Sequence, residues 1–122
     1  MTTSGENFQN HLNTRGQVIR PNGIVMISPS ATSPGLSTAE DDGLFFRTAP
    51  SDARQGVIVS DILGEKGVKE IAITYTNNDY GKGLAEAIQS NFEASGGKVT
   101  ISAAHEDGKG DYSAEVGALA AA

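Results

Sequence analysis

The sequence predicts an α/β fold, a parallel sheet flanked by helices. Three observations carry this. After residue 20, short apolar runs rich in β-branched residues alternate with stretches of helical periodicity. The helical stretches run to about 10–15 residues, the length of crossover helices between parallel strands. The chain has 15 glycines in 122 residues, well above the usual share of about 7%. Gly64, Gly67, Gly81, Gly83, Gly96, Gly97, Gly108 and Gly110 fall near the joints between elements.

Residues 1–20 are polar and without apolar period, and are expected to form a frayed or weakly helical tail. Pro21-Asn22-Gly23 is a turn signal. Ile24-Val25-Met26-Ile27 then reads as a strand buried on both faces. Ser28-Pro29 stops it, and residues 30–40 form a Ser-, Thr-, Pro- and Gly-rich loop. Leu44-Phe45-Phe46-Arg47-Thr48 is a second extended piece. Pro50, Ser51 and Asp52 announce a helix over about residues 52–66, with Ser51 or Asp52 accepting a backbone N–H of its first turn. Val57, Ile58, Ile62 and Leu63 are its expected core face, and Gly64 or Gly67 its end. Ile71-Ala72-Ile73-Thr74-Tyr75 is the next strand, and Thr76-Asn77-Asn78-Asp79 a polar turn into a helix. That helix carries a core stripe of Leu84, Ile88 and Phe92 and stops at Gly96-Gly97. Val99, Ile101 and Ala103 alternate with Lys98, Thr100 and Ser102, as in a half-buried or edge strand. Residues 111–122 open one more helix.

Composition narrows the function. The length fits one domain of ordinary size. A net charge of −6 argues against nucleic-acid binding, which requires a basic face. No apolar run approaches the roughly 20 residues of a membrane span. Residues 1–10 lack the basic start and apolar centre of a signal peptide. With no cysteine, disulfides, zinc thiolates and thiol nucleophiles are excluded.

The motif search removes further chemistry. No Gly-Lys pair is followed by Ser or Thr, so there is no phosphate-binding Walker loop. Gly81-Lys82-Gly83 begins like a dinucleotide fingerprint, but Glu86 stands at its last glycine position. Close helix–sheet packing accounts better for these glycines. His11 and His105 have no partner at metal-ligand spacing and read as solvated loop residues. Asp107, Asp111 and Glu115 break the calcium-loop pattern and read as acids near a helix N-terminus. Neither a catalytic triad nor a cofactor is expected.

Two polar loops remain, each following the carboxyl end of an expected strand, where open α/β sheets bind ligands. They are Ser28-Pro29-Ser30-Ala31-Thr32-Ser33-Pro34 and Thr76-Asn77-Asn78-Asp79-Tyr80-Gly81. Their hydroxyls and N–H groups suit a carboxylate, though ordinary turns stabilised by their own side chains account for them equally well.

At these loops the chain resembles the periplasmic substrate-binding proteins of ABC transporters, of the leucine/isoleucine/valine type. The resemblance rests on Ile27-Ser28-Pro29-Ser30-Ala31-Thr32-Ser33-Pro34, Phe46-Arg47-Thr48-Ala49-Pro50-Ser51-Asp52 and Gln55-Gly56. It continues through Ile71-Ala72-Ile73, Asn78-Asp79-Tyr80-Gly81-Lys82-Gly83-Leu84-Ala85 and Gly110-Asp111-Tyr112-Ser113-Ala114. It covers roughly residues 21–122 and leaves 1–20 unmatched.

The resemblance implies a partial type I periplasmic-binding-protein fold with incomplete lobes. Residues 21–43 would end the first lobe, 44–50 would cross between lobes, and 51–122 would begin the second. The missing signal peptide then reads as a missing N-terminal portion. The implied function is extracytoplasmic capture of an amino acid or small amide by hinge closure, with delivery to a membrane permease and no catalysis. Ser30, Ala31 and Thr32 would hold the ligand's head group and Tyr80 would reach across from the second lobe. A serine upstream and a tyrosine and acidic residue downstream have no counterpart in the chain. A ligand-sensing receptor domain, an α/β enzyme fragment, or a truncated chain without binding activity of its own are the alternatives.

Overall fold

The computed structural model describes residues 20–122. The tail expected over residues 1–20, apart from Arg20, lies outside the described residues, as does His11. A helical turn at Arg20–Asn22 precedes β1 (Met26–Ser28), a 3-10 turn at Pro34–Ser37 and β2 (Phe45–Arg47). Then follow α1 (Asp52–Glu65), β3 (Glu70–Thr76), α2 (Asp79–Ala94), β4 (Lys98–His105) and α3 (Ser113–Ala120). The α/β class and the parallel pairing match the sequence reading. The strands form two separate parallel pairs among the described residues: β1 with β2, and β3 with β4.

Both long helices are set by local chemistry at their ends. Ser51 caps α1 by accepting the Ala53 N–H, and Asn78 caps α2 by accepting the Gly81 N–H at 2.8 Å. At the far ends, Gly67 (φ 72°) and Gly96 (φ 90°) take the left-handed conformation. The Val68 N–H then reaches the Leu63 carbonyl, and the Gly97 N–H the Phe92 carbonyl, so both helices close with the same six-residue capping bond.

The unit β3–α2–β4 holds the best-packed core. Phe92 is 1% exposed and Ala85 is also buried. The Phe92 ring lies over Gly97, where an added Cβ would come within 2.4 Å of it. Thr100 is an extra residue in β4: Ile71 faces Val99, Ala72 faces Ile101, and the Thr100 hydroxyl donates to the Ile71 carbonyl at 3.2 Å.

Two expectations are corrected. The face of α1 that is buried is Asp52, Gly56 and Ser60, spaced by four, and not Val57, Ile58 and Ile62, which are 42–46% exposed. The reason is the close approach of α1 to α2. Gly56 lies against the Ala87 backbone, and Ser60 Oγ donates to the Gly56 carbonyl at 2.8 Å and lies 3.3 Å from the Ile88 carbonyl. Small residues permit that approach, and the described residues cover the apolar side only in part, Leu63 being half-buried. The first strand is likewise not buried on both faces: Ile24, Val25 and Ile27 are exposed, Ile27 at 64%. Pairing starts only at Met26, whose N–H donates to the Leu44 carbonyl, and β2 is the sole neighbour of β1 among the described residues.

Candidate functional site

The loop after β1 is held from several directions. Ser28, fully buried, accepts the Ala31 N–H on its Oγ at 3.2 Å and turns the chain out of the strand. Its carbonyl accepts the Thr48 N–H. Arg47, the last residue of β2, donates from Nη1 to the carbonyls of Ser33 (2.8 Å) and Ala31 (3.4 Å), and from Nη2 to Ser37 Oγ. The Thr32 carbonyl accepts the Asp52 N–H at 2.9 Å. Ala31 and Ser33 are buried, Thr32 is half-buried and Ser30 is exposed.

Asp52 opens α1 beneath this loop. It is 2% exposed, and its Oδ2 has no hydrogen-bond partner among the described residues. Burial pushes its carboxyl pKa up; a hydrogen bond from the Thr32 side chain and the charge of Arg47 pull it part of the way back. A carboxyl whose pKa is raised by folding contributes stability below its unfolded value and loses it as pH rises through the folded value. Asp52→Asn, which cannot ionise, is therefore expected to melt above the unaltered chain, by a margin that widens as pH rises through and above the ordinary carboxylate range. Thermal melts across that range check this. A variant less stable than the parent near neutrality would show that Thr32 and Arg47 outweigh desolvation.

The second loop joins β3 to α2. The Asn77 N–H donates to the His105 carbonyl at 2.8 Å. A Cβ on Gly81 would lie 2.3 Å from the Thr76 carbonyl, so the first turn of α2 sits on the end of β3. Gly81 thus shows the helix–sheet packing expected of both glycines, whereas Gly83 lies against Pro34 of the 3-10 turn and not against the sheet. Tyr80, half-buried, lines a recess of about 260 Å³ with Thr76, Leu84, Ile88 and His105. His105 is not a solvated loop residue. It ends β4, half-buried, with Nδ1 2.8 Å from Thr74 Oγ1 and its ring edge-on to Tyr112. Interstrand pairing with Thr76 carries β4 two residues past the expected alternation and takes His105 into the sheet.

The acids near α3 have local partners. Asp111 accepts from the Ser113 hydroxyl and N–H, and Glu115 pairs with Lys109. These contacts hold both carboxyls below their usual range. Among the described residues no group of three His, Cys, Asp or Glu side chains is placed to hold a metal ion. No described helix is long and apolar enough to cross a membrane.

Ser30, Ala31 and Thr32 thus share one braced loop. Tyr80 lines a different recess from Thr32, whose neighbours are Pro50, Ser51, Arg54, Gln55 and Ile58. The two loop regions meet where Pro34 packs on Gly83, a Cβ there lying 3.3 Å from Pro34 Cδ. Arg47 and Asp52 lie in the segment Phe46-Arg47-Thr48-Ala49-Pro50-Ser51-Asp52, whose pattern does not disclose their role at the loop. A single arginine in an otherwise apolar extended segment was the available signal.

The α/β frame, with polar loops at the carboxyl ends of its parallel strands, is part of a type I periplasmic-binding-protein fold. The chain belongs to the family described as the receptor family ligand binding region, which matches residues 12–119. It is 37% identical over 98 residues to a Leu/Ile/Val-binding protein of Citrobacter freundii, covering 80% of this chain and 26% of that one. It is 36% identical over 110 residues to Leu/Ile/Val-binding protein homolog 3 of Brucella melitensis, covering 86% and 28%. An ABC transporter substrate-binding protein of Desulfitobacterium hafniense, solved in complex with Leu, aligns with a TM-score of 0.69 at 28% identity. That alignment covers 84% of this chain and 29% of the other. The chain therefore spans little more than a quarter of the length of these relatives.

Proposed function

We propose that the chain is part of an extracytoplasmic, periplasmic solute-binding protein that captures an amino acid or related small amide for an ABC import system. Capture works by hinge closure and without catalysis, and the closed protein delivers its ligand to the membrane permease. In this reading residues 21–43 end one lobe, 44–50 cross over, and 51–122 begin the other; the family match starts at residue 12, so the segment left unmatched is shorter than the 20 residues expected from the sequence. Ser30, Ala31 and Thr32 anchor the zwitterionic head group, and Tyr80 swings in from the second lobe on closure.

The observation that carries this is the state of the loop's main chain. The carbonyls of Ala31, Thr32 and Ser33 are bonded within the protein, while the Ser30 carbonyl takes no hydrogen bond from the described residues. A braced loop whose Pro29 and Ser30 carbonyls are left over, beside hydroxyls, offers acceptors for an ammonium next to donors for a carboxylate. The Leu/Ile/Val-binding relatives, and the leucine in the solved complex, support an amino acid as that ligand.

The test is titration calorimetry with leucine on a version completed to two lobes. Tyr80→Ala and Thr32→Val are each expected to weaken binding at least tenfold, about 1.4 kcal/mol. Unchanged affinity in both variants would sink the assignment.

A further inference from the structure

We infer that Arg47 is a positioning residue of the loop after β1: from the end of β2 its guanidinium holds the carbonyls of Ala31 and Ser33, and so sets the path of the main chain there. The link from that path to ligand affinity rests on the proposed function; the tether itself does not.

In an extended chain, carbonyls two residues apart point to the same side and the one between points to the other. The loop follows that rule. Ala31 and Ser33 turn their carbonyls to Arg47, while Thr32 turns its carbonyl to the Asp52 N–H. Arg47 is the last residue of β2 and Asp52 the first of α1. One short segment, residues 48–51, therefore carries a bracket that grips the loop from both sides. The grip is firmest at Ser33 (2.8 Å), where a cation donates to the neutral acceptor of a buried residue, and longer at Ala31 (3.4 Å). It is also specific to arginine. The planar fork places one nitrogen across two carbonyls and the other on Ser37 Oγ, a set that a single ammonium does not span. Any change in the angle between β2 and α1 must then move the loop.

The test uses Arg47→Lys and Arg47→Ala in the full chain, read by amide hydrogen exchange and carbonyl carbon shifts. In Arg47→Lys the Ala31 and Ser33 carbonyl resonances should move. The amides of Ala31 and Asp52 should exchange at least tenfold faster, with protection in β3, α2 and β4 unchanged. Methylguanidinium added to Arg47→Ala should restore the parent resonances, which general stabilisation of the fold would not do. Unmoved resonances and exchange in Arg47→Lys overturn the inference. In the two-lobed version, Arg47→Lys should also weaken leucine binding at least tenfold. A loosened loop with parent affinity overturns the positioning role and leaves Arg47 a structural tether only. An unaltered two-lobed protein that binds no amino acid, while Arg47→Lys still loosens the loop, upholds the tether and overturns the proposed function instead.

Discussion

Phe92→Ala is expected to cost the fold about 3–5 kcal/mol, enough to remove much or all of the cooperative transition of a small domain. The ring is the largest fully buried side chain of the described residues. It fills the space between α2 and the entry to β4, where Gly97 leaves room for it. Truncation removes its apolar contacts and leaves a cavity that Gly97, having no side chain, cannot fill. Urea unfolding followed by circular dichroism measures the loss. Leu84→Ala, at a half-buried position on the same helix, should cost clearly less. A Phe92→Ala loss below about 1 kcal/mol would show that α2 repacks and that its core is not organised around this ring.

The second large effect is expected at Gly56. An added Cβ would lie 2.7 Å from both the backbone carbon and the oxygen of Ala87. Backbone atoms do not rotate out of the way, so Gly56→Ala must push α1 from α2. Overpacking of this kind costs about 1–3 kcal/mol. Gly64, in the same helix, has nothing within 4 Å of its would-be Cβ. There the same substitution should stabilise by up to about 1 kcal/mol, through helix propensity alone. Comparing the urea midpoints of the two variants isolates the packing term. Equal midpoints would mean that the helices do not approach as closely as the geometry requires.

The element order was readable because it depends on local signals. Ser51 and Asn78 cap, Gly67 and Gly96 terminate, and Leu84, Ile88 and Phe92 repeat at helical spacing. Which face of a helix is buried depends on what it meets, and this is where α1 misleads. Val57, Ile58 and Ile62 look like a core stripe, yet the helix docks through Gly56 and Ser60, because only small residues let two backbones come so close. Ile24 and Val25 mislead in the same way, since an apolar strand states an affinity for cover and not its presence. At the site, the polar loops were legible as loops after strands. The roles of Arg47 and Asp52 were not, because their partners are main-chain carbonyls and a threonine far away in the chain, and main-chain acceptors leave no trace in a sequence.

The grip of Arg47 on carbonyls has an evolutionary consequence. Every residue type has the same carbonyl, so the hold on residues 31 and 33 does not depend on which side chains they carry. No contact that braces the loop uses the Ser30 side chain, while exchange of Arg47 is penalised whatever the neighbouring letters are. Recognition can therefore diversify in a lineage while the framework stays fixed. Variation among descendants should thin out at position 47.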